Sequence, residues 1–346
     1  VHDGMAIGFY LVKGMNNLVL NCDAHDNYDG YSEGDSGNVD GFGGHTNKET
    51  STGNIFRGCR AWNNGDDGFD LINCYASYII EYCWSFRNGY KPHSIESSGG
   101  NGAGFKSGGY GMGDIKKVPN PIPQHTVRYC LAYYNRQQGF YSNHHLGGLI
   151  FENNTAYKNP SNYNMLNRKS SNEAVDVPGY GHIIKNNLSL SPRNSGGFPQ
   201  HLINVDNTLS EIKNNSFAPN DLNLSESDFE SLNEQELMGS RKSDGSLPDI
   251  NFLRLTNHAN FRFSGMGCFI NEEAVDYSWI QEPAIVLENG VARIVGEDSK
   301  SFNKFYVNGE EVSIENGIVD LTSMSGELNL KAISENGAVT TLIINK

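Results

Sequence analysis

The sequence predicts an all-β protein: a right-handed parallel β-helix followed by a small antiparallel β-sandwich. Three observations carry that prediction. Short β-branched or apolar stretches alternate with Gly and Asn, with almost no helical periodicity. A Cys/Asn-led pattern recurs through the first half of the chain, and a Gly-Phe pattern recurs in step with it. A self-similar unit of this size, built from short strands and turns, is the signature of a solenoid.

The first pattern reads Cys or Asn, any residue, a small residue, an aromatic or His, any residue, Asn. Cys22 opens CDAHDN, Cys59 opens CRAWNN, Cys83 opens CWSFRN and Cys130 opens CLAYYN. Asn154 opens NTAYKN, and Asn187 opens a degraded NLSLSP. Each copy follows a strand-like run such as NNLVLN, SYIIEY or GLIFEN. If each copy is one coil, equivalent residues stack at about 4.8 Å. Cys22, Cys59, Cys83 and Cys130 then form an interior thiol column of small buried hydrophobes rather than disulfides or metal ligands. Asn27, Asn64, Asn88, Asn135 and Asn159 form an asparagine ladder, each amide bonding its neighbour's backbone. His25, Trp62, Phe86, Tyr133 and Tyr157 form an aromatic column.

The second pattern reads VDGFGGH, DDGFDLI, GAGFKSG and QQGFYSN, and AIGFYLV near the start fits it. Residues 28–38 and 89–101 are insertions that leave the coil at one turn, just before the Gly-Phe column, and flank the coil between them. Loops rising on one side of a rigid solenoid build a groove wall. The ladder decays after Asn187, with LSEIKNNSF as a last coil. SESDFESLNEQELMG reads as one or two short helices, with Ser225 and Asp228 at a start. From about Asp276 alternating strands with ENG turns take over, which sets the β-helix at 1–276 and the β-sandwich at 277–346.

Composition excludes some functions. The net charge is −14 and no basic run or basic-aromatic stripe occurs, which argues against a nucleic-acid binder. No apolar run approaches the ~20 residues that span a bilayer. The six cysteines contain no CxxC pair. The chain opens at Val1 and reads as mature or trimmed.

With the Gly-Phe column as a ruler, Asp40 and Asp67 fall at equivalent positions of neighbouring coils. The residue after Phe is Gly43, Asp70, Lys106 and then Tyr141. Since Phe points inward, its successor points outward, making Asp70 and Lys106 expected exposed neighbours. Asp40, Asp66, Asp67, Asp70 and Lys106 thus gather into one patch. An oxygen-rich cluster suits calcium better than magnesium, with a backbone carbonyl such as that of Gly68 available. Zinc would call for His or Cys, and these columns place none there. Lys106, surrounded by Gly102, Gly104, Gly108 and Gly109, is the expected base. A cation and a neutral amine together suit proton abstraction alpha to a carboxylate, followed by β-elimination in a 4-linked uronate.

At VDGFGGH, RGCRAWNNGDDGFDL and NGAGFKSGG the chain resembles polysaccharide lyase family 9, parallel β-helix pectate lyases and their rhamnogalacturonan-cleaving relatives. The resemblance covers most of residues 1–190. It implies Ca2+ ligands at Asp40, Asp66, Asp67, Asp70 and the Gly68 carbonyl, and a base at Lys106. It also implies an acidic pectic polysaccharide as substrate, a monomer, and a secreted, periplasmic or cell-surface location of bacterial type. Two departures stand out: His45 where pectate-cleaving members tend to carry a lysine, and Tyr141 where an acidic residue is common. They lean towards a backbone of lower charge density, such as alternating rhamnose and galacturonate. The N-terminal cap and first coils expected of the fold are not read in this sequence, since Val1 stands just before a Gly-Phe element. Substrate contacts are expected from His45, Arg136, Tyr141, His144, Arg168 and Lys169, with Lys91, His93 and His145 near the groove. Two other readings compete: a β-helix glycoside hydrolase of pectin using paired Asp residues, and a non-catalytic glycan-binding β-helix.

Overall fold

Each of the first six coils contributes three short strands, one to each of three parallel sheets, and the seventh contributes two among the described residues. A computed structural model describes residues 1–32, 36–110, 118–193, 200–217, 222–269, 283–288, 290–296, 299–315, 317–335 and 337–345. The first sheet stacks Phe9–Leu11, Phe42–Gly44, Phe69–Asp70, Phe105–Lys106, Gln138–Tyr141, Ser161–Asn164 and Leu202–Ile203 in chain order. The second runs from Leu18–Leu20 through Asn54–Arg57, Tyr78–Glu81, Thr126–Arg128, Ile150–Glu152 and Ile183–Lys185 to Glu211–Lys213, the last coil expected from the sequence. The third runs from Asp23–His25 to Leu188–Leu190.

The columns hold the stack together. Phe9, Phe42, Phe69, Phe105, Phe140 and Tyr163 lie ring on ring at 5.0, 4.7, 4.9, 4.9 and 4.9 Å. Burying each ring is worth about 1.5–3 kcal/mol, and each aromatic contact about 0.5–1.5 kcal/mol more. All six cysteines are free thiols, and Cys59, Cys83 and Cys130 are wholly buried. Asn27, Asn64, Asn88 and Asn135 each donate Nδ2–H to the next Oδ1, at 2.8, 2.9, 3.0 and 3.1 Å. As expected, each Oδ1 of Asn88, Asn135 and Asn159 accepts the backbone N–H of the preceding ladder residue, and the amide-to-amide pairing comes in addition. Where the thiol column ends, a second amide ladder begins, from Cys130 N–H to Asn154 Oδ1 and on through Asn187 to Asn215.

The coil turns sharply between the second and third sheets through one left-handed residue: Asn21, Gly58, Tyr82, Tyr129, Asn153, Asn186 and Asn214. Asn tolerates this conformation. Tyr82 and Tyr129 do not favour it, and their rings stack at 4.8 Å along the corner.

The insertions at 28–38 and 89–101 lie, as expected, between the third and first sheets. Two further excursions follow first-sheet strands. One separates Lys106 from Thr126, and the other carries an antiparallel hairpin of Asn167–Ser170 and Glu173–Val177. The expected helices near 225–239 are 3₁₀ turns, Glu226–Asp228 with a Ser225–Asp228 capping box and Glu234–Met238 capped by Asn233.

Two compact units emerge, Val1–Arg254 with Met266–Ile270, and Leu255–Gly265 with Asn271–Lys346. The expected boundary at 276/277 lies outside the described residues. The second unit holds the helix Asn257–Arg262 and two antiparallel sheets, one of Ala284–Glu288, Val291–Val295 and Ile318–Asp320, the other of Phe302–Val307, Glu310–Val312, Glu327–Ser334 and Val339–Asn345. Alternate side chains such as Phe305, Leu328, Leu330 and Ala332 fill their shared core with Ile285 and Val319. Among the described residues, no helix is long and apolar enough to cross a membrane.

Candidate active site

The outward column of the first sheet brings Tyr10, Gly43, Asp70, Lys106, Tyr141 and Asn164 into register on successive strands. Asp66 and Asp67 sit at the turn entering their strand, two and three residues after the ladder residue Asn64. The amide ladder therefore fixes the turn that aims them.

Every one of the four carboxylates is tethered through Oδ1. Asp40 accepts the Asp67 N–H at 3.0 Å, and Asp66 accepts those of Asn101 at 2.5 Å and Gly102 at 3.4 Å. Asp67 accepts the Ala103 N–H at 2.6 Å and Asp70 that of Ile72 at 2.7 Å. The 89–101 insertion thus reaches the acidic turn from above, and Ser98 Oγ donates to Gly65 O as well. Lys106 Nζ lies 3.0 Å from Oδ2 of both Asp67 and Asp70.

Exposure corrects the expectation. Asp70 is 3% and Lys106 6% exposed, because neighbouring coils and the insertion wall enclose a column that alternation alone would leave in water. Asp40, Asp66 and Asp67 are buried too. Burial pushes the carboxyls of Asp40, Asp66 and Asp67 up, and mutual repulsion adds to it. Burial alone would lower Lys106, but the carboxylates of Asp67, Asp70, Asp40 and Asp66 outweigh it and hold the ammonium well above its ordinary range.

These residues fit a hard divalent cation. Carboxylate oxygens of Asp40, Asp66 and Asp67 lie within 4.8 Å of one another. Asp67 Oδ2 is buried and, apart from the ion pair with Lys106, has no hydrogen bond. Gly68 is placed differently from a dedicated ligand: its carbonyl accepts the Phe42 N–H at 3.0 Å in the sheet, leaving only its second lone pair to offer. What the glycine supplies is room, since a Cβ there would lie 2.0 Å from Ser85 Oγ.

A histidine does stand in the cluster, contrary to the column reading. His45 Nε2 is 3.9 Å from Asp70 Oδ2, and His45, Asp40 and Asp70 form a second convergent group. Gly43, the register partner of Asp70, has no side chain to intervene. Burial lowers the His45 imidazole, and its Nε2 lacks a hydrogen bond.

The other expected contacts divide. Tyr141 adjoins Lys106, and its hydroxyl lies 3.0 Å from His144 Nε2. Arg168 is buried and donates to Tyr110 O at 3.0 Å. Arg136 donates to Gly100 O and so braces the insertion. Lys169 stands apart, paired with Glu173 at 2.8 Å, and Lys91 pairs with Glu96. His145 is interior rather than at the groove: Nδ1 accepts the Gly109 N–H at 3.1 Å and Nε2 donates to Pro123 O at 3.0 Å. Asp176, 2.6 Å from His144 Nδ1, is a site neighbour that sequence reasoning missed. The turn residues Ser170–Asn172 and the alternation after them were its only signal.

Residues 1–213 match the family described as "Pel9A-like, right handed beta helix region". The chain belongs to this family. It is the polysaccharide lyase family 9 that the Gly-Phe motifs resemble. Residues 206–341 match a second description, "Rhamnogalacturonan lyase-like, C-terminal". Among relatives of this Pel9A-like chain, pectate lyase L of Dickeya chrysanthemi is 35% identical over 265 residues, covering 77% of this chain and 54% of that protein. The chain thus spans about half the length of that relative. A solved rhamnogalacturonan lyase superposes with a TM-score of 0.72 at 57% identity, covering 78% of this chain and 64% of the other. The crystal structure of pectate lyase Pel9A gives a TM-score of 0.61 at 31% identity, covering 78% and 63%.

Proposed function

We propose that this chain is a lyase that cleaves 4-linked galacturonate in pectic polysaccharide by β-elimination, with Lys106 as base. The observation that carries the reading is a buried amine held 3.0 Å from two members of a convergent four-carboxylate cluster. Asp40, Asp66, Asp67 and Asp70 would hold calcium, which would supply the positive charge to neutralise a uronate carboxylate and acidify the proton on the adjacent carbon. With a cation on those carboxylates in its place, the Lys106 ammonium would leave its ion pair, give its extra proton to water and, as the neutral amine, take the C5 proton. The C4–O4 bond then breaks, leaving a 4,5-unsaturated uronate on one product. Backbone N–H groups keep each Asp from turning away during the exchange.

The higher identity to a rhamnogalacturonan lyase than to Pel9A, the matching C-terminal region, and His45 and Tyr141 in place of charged residues all support the rhamnogalacturonan I backbone over polygalacturonate. A polymer too large to enter a cell would place the enzyme outside, secreted, periplasmic or surface-bound.

The test is digestion of both polymers with calcium, followed by ultraviolet absorbance of unsaturated ends. Lys106→Ala should lose about 10²–10⁴ in rate, the usual contribution of a positioned base. Cleavage without unsaturated ends would instead mark a hydrolase. Ligand retention with no cleavage in the wild type would mark a binding module.

A further inference from the structure

Elimination needs a second proton transfer, because the departing oxygen must be capped as the C4–O4 bond breaks. The strand next to Lys106 presents a group suited to it. Tyr141 is the register partner of Lys106, one strand away at about 4.8 Å. Its hydroxyl is 3.0 Å from His144 Nε2, and His144 Nδ1 is 2.6 Å from Asp176 Oδ1. The chain of contacts is rigidly placed. Asn143 and His144 both take left-handed backbone conformations, φ 54° and 57°, and hydrogen bonds hold both. Asn143 Nδ2 donates to Gly108 O at 2.7 Å, and the His144 N–H donates to Leu166 O at 2.9 Å. The outer end is open to water: the side chains of His144 and Asp176 are 29% and 48% exposed.

We infer that Tyr141 is the general acid of the elimination, protonating the departing O4, and that His144 with Asp176 returns a proton to it from solvent. The inference rests on the lyase reading above. Lys106 Nζ takes the C5 proton, and the C5–H electron pair becomes the second C4–C5 bond. The C4–O4 pair leaves with O4, which takes the hydroxyl proton of Tyr141. The resulting phenolate regains a proton from His144 Nε2, His144 takes one from water, and Lys106 releases its own to water. Asp176 accepts the Nδ1–H and so fixes the ring with Nε2 on the Tyr141 hydroxyl, the path by which a proton from solvent returns to it.

Electrostatics favour the order of events. Burial, then the Asp176 carboxylate, pushes the Tyr141 phenol up to about 12, while the charge of Lys106 pulls it down. Tyr141 therefore holds its proton under alkaline conditions, and protonation of Lys106 eases its release.

The experiment compares wild type with Tyr141→Phe on the pectic polymer and on a galacturonide whose O4 carries a nitrophenyl group, a leaving group that needs no acid. Tyr141→Phe should lower kcat on the polymer about 10²–10⁴-fold with KM nearly unchanged, yet lower nitrophenolate release by less than about threefold. An equal loss on both substrates, or a rise in KM alone, would make Tyr141 a sugar-holding residue and overturn the inference. His144→Gly should lose activity on the polymer and regain part of it with added imidazole. No regain with imidazole would remove His144 from the relay. A wild type without unsaturated products on either polymer would overturn the lyase reading itself, whereas an active wild type matched by Tyr141→Phe would overturn only the acid.

Discussion

Replacing Asn88 with Ala should cut the amide ladder at its middle. Asn88 is wholly buried. Its Oδ1 accepts the Asn64 backbone N–H at 3.1 Å and Asn64 Nδ2–H at 2.9 Å. Its Nδ2 donates to Ala61 O, Ser85 Oγ and Asn135 Oδ1 at 3.1, 3.0 and 3.0 Å. Alanine leaves two donors of Asn64 without an acceptor inside the solenoid. Each buried unsatisfied group costs about 1–3 kcal/mol, so the pair costs about 2–6 kcal/mol. At about 2–4 °C per kcal/mol for a unit of this size, a loss near 3 kcal/mol lowers the melting midpoint by roughly 6–12 °C. Asn64 precedes Asp66 and Asp67, so activity should fall along with stability. Calorimetric melting reads the effect, with Thr208→Ala as control because its hydroxyl bond to Asp206 is exposed. A midpoint within about 2 °C of wild type would mean that water replaces the lost acceptor, and the unsatisfied-donor reasoning would fail.

Three other outcomes follow from the site and its surroundings. His125, His145 and His182 are buried, and burial holds them below their ordinary 6.5, His145 at about 4 and His182 at about 3. Their stabilisation is complete above the unfolded value and is lost as pH falls below it, at about 1.4 kcal/mol per pH unit for each. Urea midpoints at about pH 5 and pH 7 should differ less in His182→Gln than in wild type, and equal differences would contradict the burial argument. Gly68→Ala would set a Cβ 2.0 Å from Ser85 Oγ and 2.8 Å from Gly104 O, so the coil bearing Asp67 and Asp70 must shift. A cost of about 1–3 kcal/mol is expected, read by denaturant unfolding, and an unchanged midpoint would show that the coil yields freely. Calcium at about a hundred times its Kd should stabilise by ~2.7 kcal/mol. Asp66→Asn, which keeps the acceptor for Asn101 and Gly102, should shrink that shift, and a wild type that shows none would remove calcium from the site.

The columns were legible because stacking turns a linear repeat into adjacency. Phe42, Phe69, Phe105 and Phe140 mark the coils by themselves, and Asp40, Asp67, Asp70 and Lys106 take their places from that count. Tyr163 continues the ring stack but lacks the Gly-Phe signature, so the column appeared to stop early. What repeats cannot convey is how excursions from the coil fold back. The insertion 89–101 folds back onto the cluster at Asp66, whose carboxylate accepts the Asn101 N–H. Asp176 reaches His144 only because a hairpin after Asn164 returns alongside the sheet. His45 joins Asp70 across a coil step that lacks a side chain at Gly43, a steric circumstance no spacing rule records.

Because the acidic groups and the amine come from separate coils, their separation is set by backbone pitch and not by the length of chain between them. Residues could be added at the tip of the 89–101 insertion, short of Ser98 and Asn101, and alter only the wall of the groove. One residue added between Asn64 and Phe69 would rotate Asp66 and Asp67 out of phase with the ladder. Such a site is tolerant of length and intolerant of phase.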